Sequence, residues 1–392
     1  MSRVRLTGRG RRRLDGGHPW VFVDDVAEVA AEPGDVVAVE GPHGEFVGWG
    51  SYSSQSKICV RVFSRRAQAP DERFWRERLA RAAAARERMG LFDPRGACRL
   101  LSGDADRVPG MVIDHYAGVF VLQSGTQGSD KLRDVLVAGL EGLGREIVAI
   151  LDRSDASVRR LEGLEKRVEV LRGELPGELE VREGDLVYEV DVLHGHKTGH
   201  YLDQRANRAR AAELARGADV LDAFCYDGLF GVRAALAGAR SVLCLDQSQP
   251  ALERALRNAQ RNGCAARVST ARVDVMRDLK ERAELGARFG LVIVDPPAFA
   301  RNRGELEGAA RGYRELNLRA LRLVAPDGYL VSASCSHAMK PEMFVHVLAQ
   351  ATHASGRDVV LEELRAAARD HPALLVLPES AYLKCAFLRV GD

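Results

Sequence analysis

"ADVLDAFCYDGLFGVRAALAGARSVLCLD", Ala218 to Asp246, decides the architecture. An apolar run of strand length ends in Asp222, a Gly-bearing turn follows, and "GLFGVRAALAG" reads as an apolar helix. "SVLCLD" is then a second buried strand. A strand, a helix and a strand at this spacing make a crossover unit, and a crossover sets its two strands parallel. The pattern repeats downstream. "RVSTARVD", "FGLVIVD" and "GYLVSAS" are further strands, separated by "SQPALERALRNAQRNG", the segment 275 to 287 and "ARGYRELNLRALRLVAP". The expected class is α/β, a parallel Rossmann-like sheet with helices on both faces.

In such sheets ligands bind at the carboxyl ends of the strands. Here those ends are acidic: Asp222, Asp246, Asp274 and Asp295, with Ser334, Cys335 and Ser336 closing the fifth strand. One such Asp is an ordinary turn former; four at successive strand ends are a rim. Asp246, some 20 residues after the first turn, suits a ribose diol, because its two oxygens accept from both hydroxyls. A nicotinamide enzyme uses the same feature. The first loop, however, is not G-x-G-x-x-G; it offers Gly228 and Gly231 beside Asp222 and Asp227. These acids repel a pyrophosphate and suit a cofactor with sulfonium and ammonium groups, which points to S-adenosylmethionine. The expected cofactor residues here are Asp222, Phe224, Tyr226, Gly228, Phe230, Asp246, Ser248, Asp274 and Asp295.

Upstream the texture differs. "HPWVFVDDVAEV", "GDVVAVEG", "FVGWGSYS" and "ICVRVFS" are short strand signals between Gly and Pro, which reads as a small β-barrel over residues 1–70. "AQAPDERF" is a linker. "FWRERLARAAAARERM", Phe74 to Met89, is a helix with Asp71 as its cap, opening an α+β middle domain over 71–187. The catalytic-type domain is then 188–392. Trp20, Phe22 and Trp49 read as core residues. A coding bias toward Arg accounts for the 50 Arg against 7 Lys; the clustering of Arg9, Arg11, Arg12 and Arg13 says more. Arg61, Arg65 and Arg66 recur later.

The net charge of +2 names no partner. No apolar run approaches the length of a membrane span, and "MSRVRLTGRGRRRL" lacks the apolar stretch of a secretory signal, so a cytoplasmic location is expected. The seven cysteines are scattered and show no C-x-x-C pair, which argues against a zinc site or a disulfide framework; no metal is expected. Cys244 and Cys385 lie in apolar strands and read as core. Cys335, in "VSASCSH", sits where a strand runs out.

These segments together resemble a known family. "GHPWVF", Gly17 to Phe22, looks like the signature of a PUA domain. "KTGHYLDQRANR", Lys197 to Arg208, is similar to a long family segment, and "DPPAFAR", "SCSH" and "DHPALLVLPESAYLK" match others. The chain resembles the class I methyltransferases that make 5-methylcytosine in bacterial large-subunit ribosomal RNA, the RlmI-like group. The likeness covers nearly the whole chain. One departure is Leu229, in "FCYDGLF", where the family commonly has a second Gly.

The resemblance implies an N-terminal PUA domain, a middle α+β domain and a catalytic domain that uses S-adenosylmethionine on 23S ribosomal RNA, naked or in a pre-50S particle. Its members are often homodimers. It places Thr198, Gly199, Asp203, Gln204 and Arg205 at the methionine end of the cofactor, with Arg205 on the carboxylate.

The chemistry gives Cys335 a task. C5 of cytosine is a poor nucleophile until a thiolate adds at C6, so a reactive thiol at a polar strand end is what the reaction needs. Asp295 faces the base edge, where addition pushes charge. Pro296 fixes the turn, and Phe299 offers a ring to stack on an extruded base. Ser334, His337, His371 and Lys384 shape the base pocket, and Arg11 and Arg12 contact RNA phosphates. Two alternatives stay open: an N-methyltransferase acting on guanine N7 or an exocyclic amine, and an RNA-binding assembly factor without turnover.

Overall fold

The computed structural model describes residues 2–299 and 303–392. The chain forms two compact units. One comprises Met1–Val181, Val190–Leu202 and Arg369–Ser380; the other comprises Arg182–Glu189, Asp203–Ala368 and Ala381–Asp392.

The first unit opens with strand β1 (Arg3–Leu6) and helix α1 (Gly8–Asp15). Strands β2 (Trp20–Phe22), β3 (Val26–Ala30), β4 (Val36–Glu40), β5 (Phe46–Tyr52) and β6 (Ile58–Ser64) follow. They form one sheet in the order β2-β6-β5-β4-β1-β3, closed over Val4, Leu6, Leu14, Val21, Val37, Val39 and Val60. The alternation of Val with polar or small residues sends one face inward, as a half-buried strand requires. Trp49 is core as expected, whereas Trp20 and Phe22 are only half-buried, and the Trp20 indole donates to Asp104.

Helix α2 (Glu72–Arg88) starts where Asp71 accepts the Phe74 N–H. Its buried face carries Trp75, Leu79, Ala82, Ala83 and Arg86, at helical spacing. Arg86 is buried because both its ends are satisfied: it forms a two-pronged pair with Asp106 and donates to the Arg99 and Asp370 carbonyls. Strands β7 (Ala97–Ser102), β8 (Met111–Tyr116) and β9 (Val119–Ser124) lead to helices α3 (Gln127–Lys131) and α4 (Arg133–Glu141). Strands β10 (Ala149–Ser154) and β11 (Arg167–Gly173) complete a sheet ordered β11-β10-β9-β8-β7. Barrel residues Ala38, Trp49 and Phe63 share one core with Trp75, Phe120 and Ile150, so barrel and middle sheet are one unit.

Strands β12 (Glu180–Glu183) and β13 (Leu186–Glu189) make a two-stranded ribbon. The second unit continues with α5 (Arg205–Glu213), β14 (Asp219–Ala223), α6 (Leu229–Leu236), β15 (Ser241–Asp246) and α7 (Gln249–Arg261). Then come β16 (Val268–Arg272), α8 (Val275–Glu284), β17 (Phe289–Val294), α9 (Leu306–Leu323), β18 (Val324–Ser334) and α10 (Pro341–Ser355). Strands β19 (Val359–Arg365) and β20 (Lys384–Val390) end the chain. The sheet order is β16-β15-β14-β17-β18-β20-β19.

The first five of these strands are parallel, as the strand–helix alternation dictates. β20 runs antiparallel between β18 and β19, which the parallel reading of the sheet did not include. The reason is the connection: residues 366–383 contain no crossover helix, so the strand returns beside its predecessor. Ala223 pairs Leu245 and Val294, and Val294 pairs Ser332. That register brings the ends of β14, β15, β17 and β18 to one rim. Lys384 pairs Ser334 from the antiparallel side.

Candidate active site

The loop after β14 is held in an uncommon conformation. Phe224 and Tyr226 have φ of 62° and 52°, and Gly228 has φ of 74°. Two non-glycine residues in the left-handed region within three positions are a local cost that surrounding contacts must offset. The offset is visible: the Tyr226 N–H donates to Asp246 at 2.9 Å. Asp246 also accepts the Ser248 N–H through its other oxygen, at 2.9 Å. Each oxygen keeps a lone pair for a further donor. Gly231 is there for close packing, since a Cβ would lie 2.8 Å from the Cys244 sulfur and from a Val242 methyl. Leu229 is the first residue of α6 and buried, so the backbone there accepts a side chain. Phe230 is buried beside it.

Asp222 is buried and accepts the Gly231 N–H at 2.9 Å. Burial pushes its carboxyl up to about 7 against that bond, and the negative Asp295, Asp227 and Asp246 push the same way. A rim whose neighbouring carboxylates raise the pKa of Asp222 is one that a cation relieves. The donor set therefore fits the sulfonium and ammonium of S-adenosylmethionine and does not fit a pyrophosphate. Ser248 and Asp274 are exposed and cap α7 and α8, accepting the Ala251 and Arg277 N–H groups.

Cys335 follows directly on β18 and is half-buried, while the other six cysteines are buried. Buried Lys384 donates to the Ser336 and Tyr382 carbonyls, at 2.8 Å each. Burial pushes its ammonium down to about 8, and a thiolate at Cys335 opposes that shift. The Tyr313 hydroxyl bonds Ser336 at 3.1 Å, and its ring lies 4.6 Å from that of Phe299. Ser334 is buried, and its hydroxyl accepts the Ser336 N–H. His337 is exposed, its ring 5.2 Å from that of Tyr382. Pro296 is buried. The half-buried Asp295 accepts from the Gln204 amide at 3.0 Å. Asp203 accepts from the Tyr382 hydroxyl at 2.5 Å, and Arg205 is paired with Glu183 at 3.3 Å.

The remaining expected residues lie in the first unit. Buried Thr198 donates to Asp114 and bonds the Tyr116 hydroxyl. Gly199 has φ of 137°, and a Cβ there would lie 2.9 Å from Val190. His371 is buried against Asp370 at 3.0 Å. Arg11 is paired with Asp15 and Glu45, and Arg12 is exposed. Ala300 and Arg301 of the "DPPAFAR" motif lie outside the described residues. Among the described residues no cluster has the makings of a metal site, and no helix is long and apolar enough to cross a membrane.

Comparison with known proteins decides the family. A PUA-like domain profile matches residues 4–65, and an S-adenosylmethionine-dependent methyltransferase profile matches residues 157–375. Ribosomal RNA large subunit methyltransferase I of Shewanella amazonensis is 39% identical, with 99% of each chain covered. The chain belongs to the ribosomal RNA large subunit methyltransferase I family. The Alteromonas mediterranea relative of that name is 40% identical over 96% of this chain and 95% of its own. A solved methyltransferase complexed with SAH shares the fold, with a TM-score of 0.86 at 20% identity, over 99% of this chain and 100% of that one.

The cofactor of this methyltransferase is S-adenosylmethionine. Tyr313 and Tyr382 touch expected site residues, and the sequence did not single them out: the Tyr382 hydroxyl donates to Asp203 and its carbonyl accepts from Lys384, and the Tyr313 ring lies against Phe299. Tyr313 is buried on an α9 face with Leu316 and Ala320, where its ring reads as core. The signal was its hydroxyl, which needs a partner when buried.

Proposed function

We propose that this methyltransferase forms 5-methylcytosine in 23S ribosomal RNA through a covalent bond between Cys335 and C6 of the base. The observation that carries the reading is the buried Lys384 ammonium on the Ser336 carbonyl, one residue beyond the thiol. A fixed cation there favours the thiolate, the form that attacks. Bound S-adenosylmethionine supplies the electrophilic methyl group.

The Cys335 sulfur adds to C6, and the electron pair displaced from the C5–C6 bond makes C5 a nucleophile. Asp295 meets the far edge of the ring, accepting from the exocyclic amine. As base binding strips water from its carboxyl, its affinity for a proton rises and it shares one with N3. C5 takes the methyl that bound cofactor would supply, a water molecule accepts the C5 proton, and the C–H electron pair re-forms the C5–C6 double bond as the C6–S bond breaks and Cys335 leaves as thiolate. Phe299, backed by Tyr313, offers the face against which the base rests. Asp222, Asp246 and the strained loop from Phe224 to Gly228 hold the cofactor. Thr198, Gly199, Asp203, Gln204 and Arg205 are proposed for its methionine end.

The test is methyl transfer from labelled S-adenosylmethionine to ribosomal RNA from a strain lacking this modification, followed by nucleoside analysis. Label in 5-methylcytosine that disappears in Cys335→Ala is expected. Label on N7 or an exocyclic amine, retained in Cys335→Ala, would replace the reading with N-methylation. Unlabelled RNA would leave an RNA-binding factor.

A further inference from the structure

The arginines of the first unit divide by whether a carboxylate meets them. Arg9 and Arg13 both bind the buried Asp25, at 2.7 and 2.8 Å. Arg11 binds Asp15 and Glu45. Arg61 is buried on Glu162 at 3.0 Å. These charges are used inside the protein. Only Arg12 of the N-terminal cluster stands exposed without such a partner among the described residues.

Arg65, Arg66, Arg78 and Arg107 differ. They line one open cavity of about 370 Å³ together with Pro19 and Ser64. Among the described residues no carboxylate lies within 4.0 Å of any of the four guanidinium groups. Each is held by something other than an anion, where it is held at all. Arg65 donates to the Leu14 carbonyl. Arg78 lies 4.9 Å over the ring of Phe74. Arg107 follows the turn at Gly103–Asp106 with φ of 62°.

The crowding has an electrostatic signature. Burial, then the charges of Arg81, Arg107 and Arg66, pull the Arg78 guanidinium below its ordinary range. The acid coupled to Arg107, Asp104, gives little relief. It accepts from the Trp20 indole at 3.0 Å, and burial holds it above the usual carboxylate range. Four convergent guanidiniums with no carboxylate in ion-pair contact, and only Glu77 and Asp104 acting on them from farther off, are a poor arrangement for stability and a good one for an anion. Planar forks match phosphate oxygens two at a time.

We propose that Arg65, Arg66, Arg78 and Arg107 form a phosphate-binding pocket for the RNA backbone, shared by the barrel and the middle domain. The proposal rests on RNA being the substrate, not on which atom is methylated. The cavity wall offers guanidiniums, Pro19 and the Ser64 hydroxyl, so it grips backbone and positions the duplex or strand without reading bases.

The test uses the full chain and a fluorescein-labelled fragment of large-subunit ribosomal RNA, with log Kd measured against log salt. Each lost phosphate contact lowers the slope by about 0.7–0.9. Arg66→Gln with Arg107→Gln is expected to lower it by about 1.5 and to weaken binding by about tenfold at low salt. Arg65→Gln with Arg78→Gln is the second pair, and thermal unfolding confirms that both variants fold. Arg5→Gln, whose charge is already paired with Glu28 and Glu40, is expected to leave the slope unchanged. An unchanged slope in both pocket pairs overturns the proposal, as does an equal loss in Arg5→Gln. A wild-type chain that binds no RNA removes the RNA-substrate reading itself; binding with untouched slopes removes this proposal alone.

Discussion

The Gln204 amide donates to the Asp295 carboxylate at 3.0 Å, and Asn207 fixes which way that amide faces by donating to its oxygen at 2.6 Å. Two motifs nearly a hundred residues apart thus meet at one hydrogen bond. That bond fixes the direction in which the carboxylate faces. Gln204→Ala is expected to lower the rate of methyl transfer by about tenfold, in line with the loss of one charge-assisted bond. Gln204→Glu places like charges together, so its defect should deepen as pH rises and ease as pH falls. A Gln204→Glu enzyme with a wild-type pH–rate profile would show that Asp295 works independently of its neighbour.

Lys384 and Cys335 form the next test. Iodoacetamide should label Cys335 selectively, because the other six cysteines are buried. Removing the cation in Lys384→Met is expected to move the midpoint of the alkylation pH profile upward by about one unit, a shift worth about 1.4 kcal/mol. Lys384→Arg keeps the charge and should hold the midpoint near its wild-type value. An unmoved midpoint in Lys384→Met would reduce Lys384 to a strand-end anchor, whatever happens to activity.

Asp222 makes a stability prediction with a definite sign. Its proton is held more tightly in the folded chain, near 7, than in the unfolded one, near 3.8. A raised pKa contributes stability in full below about 4, and the contribution is lost as pH rises through about 7. The cofactor-free protein should therefore lose on the order of a few kcal/mol of stability from this group across that window. Asp222→Asn still accepts the Gly231 N–H and should flatten that slope. Urea unfolding at several pH values is the measurement, and parallel slopes in the two proteins would exclude Asp222 as its source.

Much of this was legible in the residues because strands and crossover helices announce themselves by apolar period. The ends of β14, β15, β17 and β18 followed from that pattern, and with them the rim. What was not legible depended on pairing across the sheet. Lys384 read as a wall of the base pocket; only the antiparallel register of β20 with β18 puts its ammonium on the Ser336 carbonyl. Arg11 read as a phosphate contact, but its partners Asp15 and Glu45 lie 4 and 34 residues away, and the second is invisible to local spacing. Tyr313 was hidden because a buried aromatic on a helix face looks alike whether or not its hydroxyl is used.

The packing of α6 on β15 offers the last test, because it is coupled to the rim. A methyl group at Gly231 would lie 2.8 Å from both the Cys244 sulfur and a Val242 methyl, and 3.3 Å from the Asp222 carboxylate. None of these neighbours is the loose end of an exposed side chain, since Asp222, Val242 and Cys244 are all buried. Gly231→Ala should therefore overpack the helix–sheet contact and cost about 1–3 kcal/mol in urea unfolding. It should also stretch the bond from the Gly231 N–H to Asp222, which now opposes the rise of that acid's pKa. The pH window over which stability falls should then move upward. Combining it with Cys244→Ala removes one of the two clashing atoms and should recover part of the loss, so the two changes will not add. A Gly231→Ala protein of wild-type stability would mean that α6 can withdraw from the sheet at little cost, and the strained loop before it would then not be locked in place by this contact.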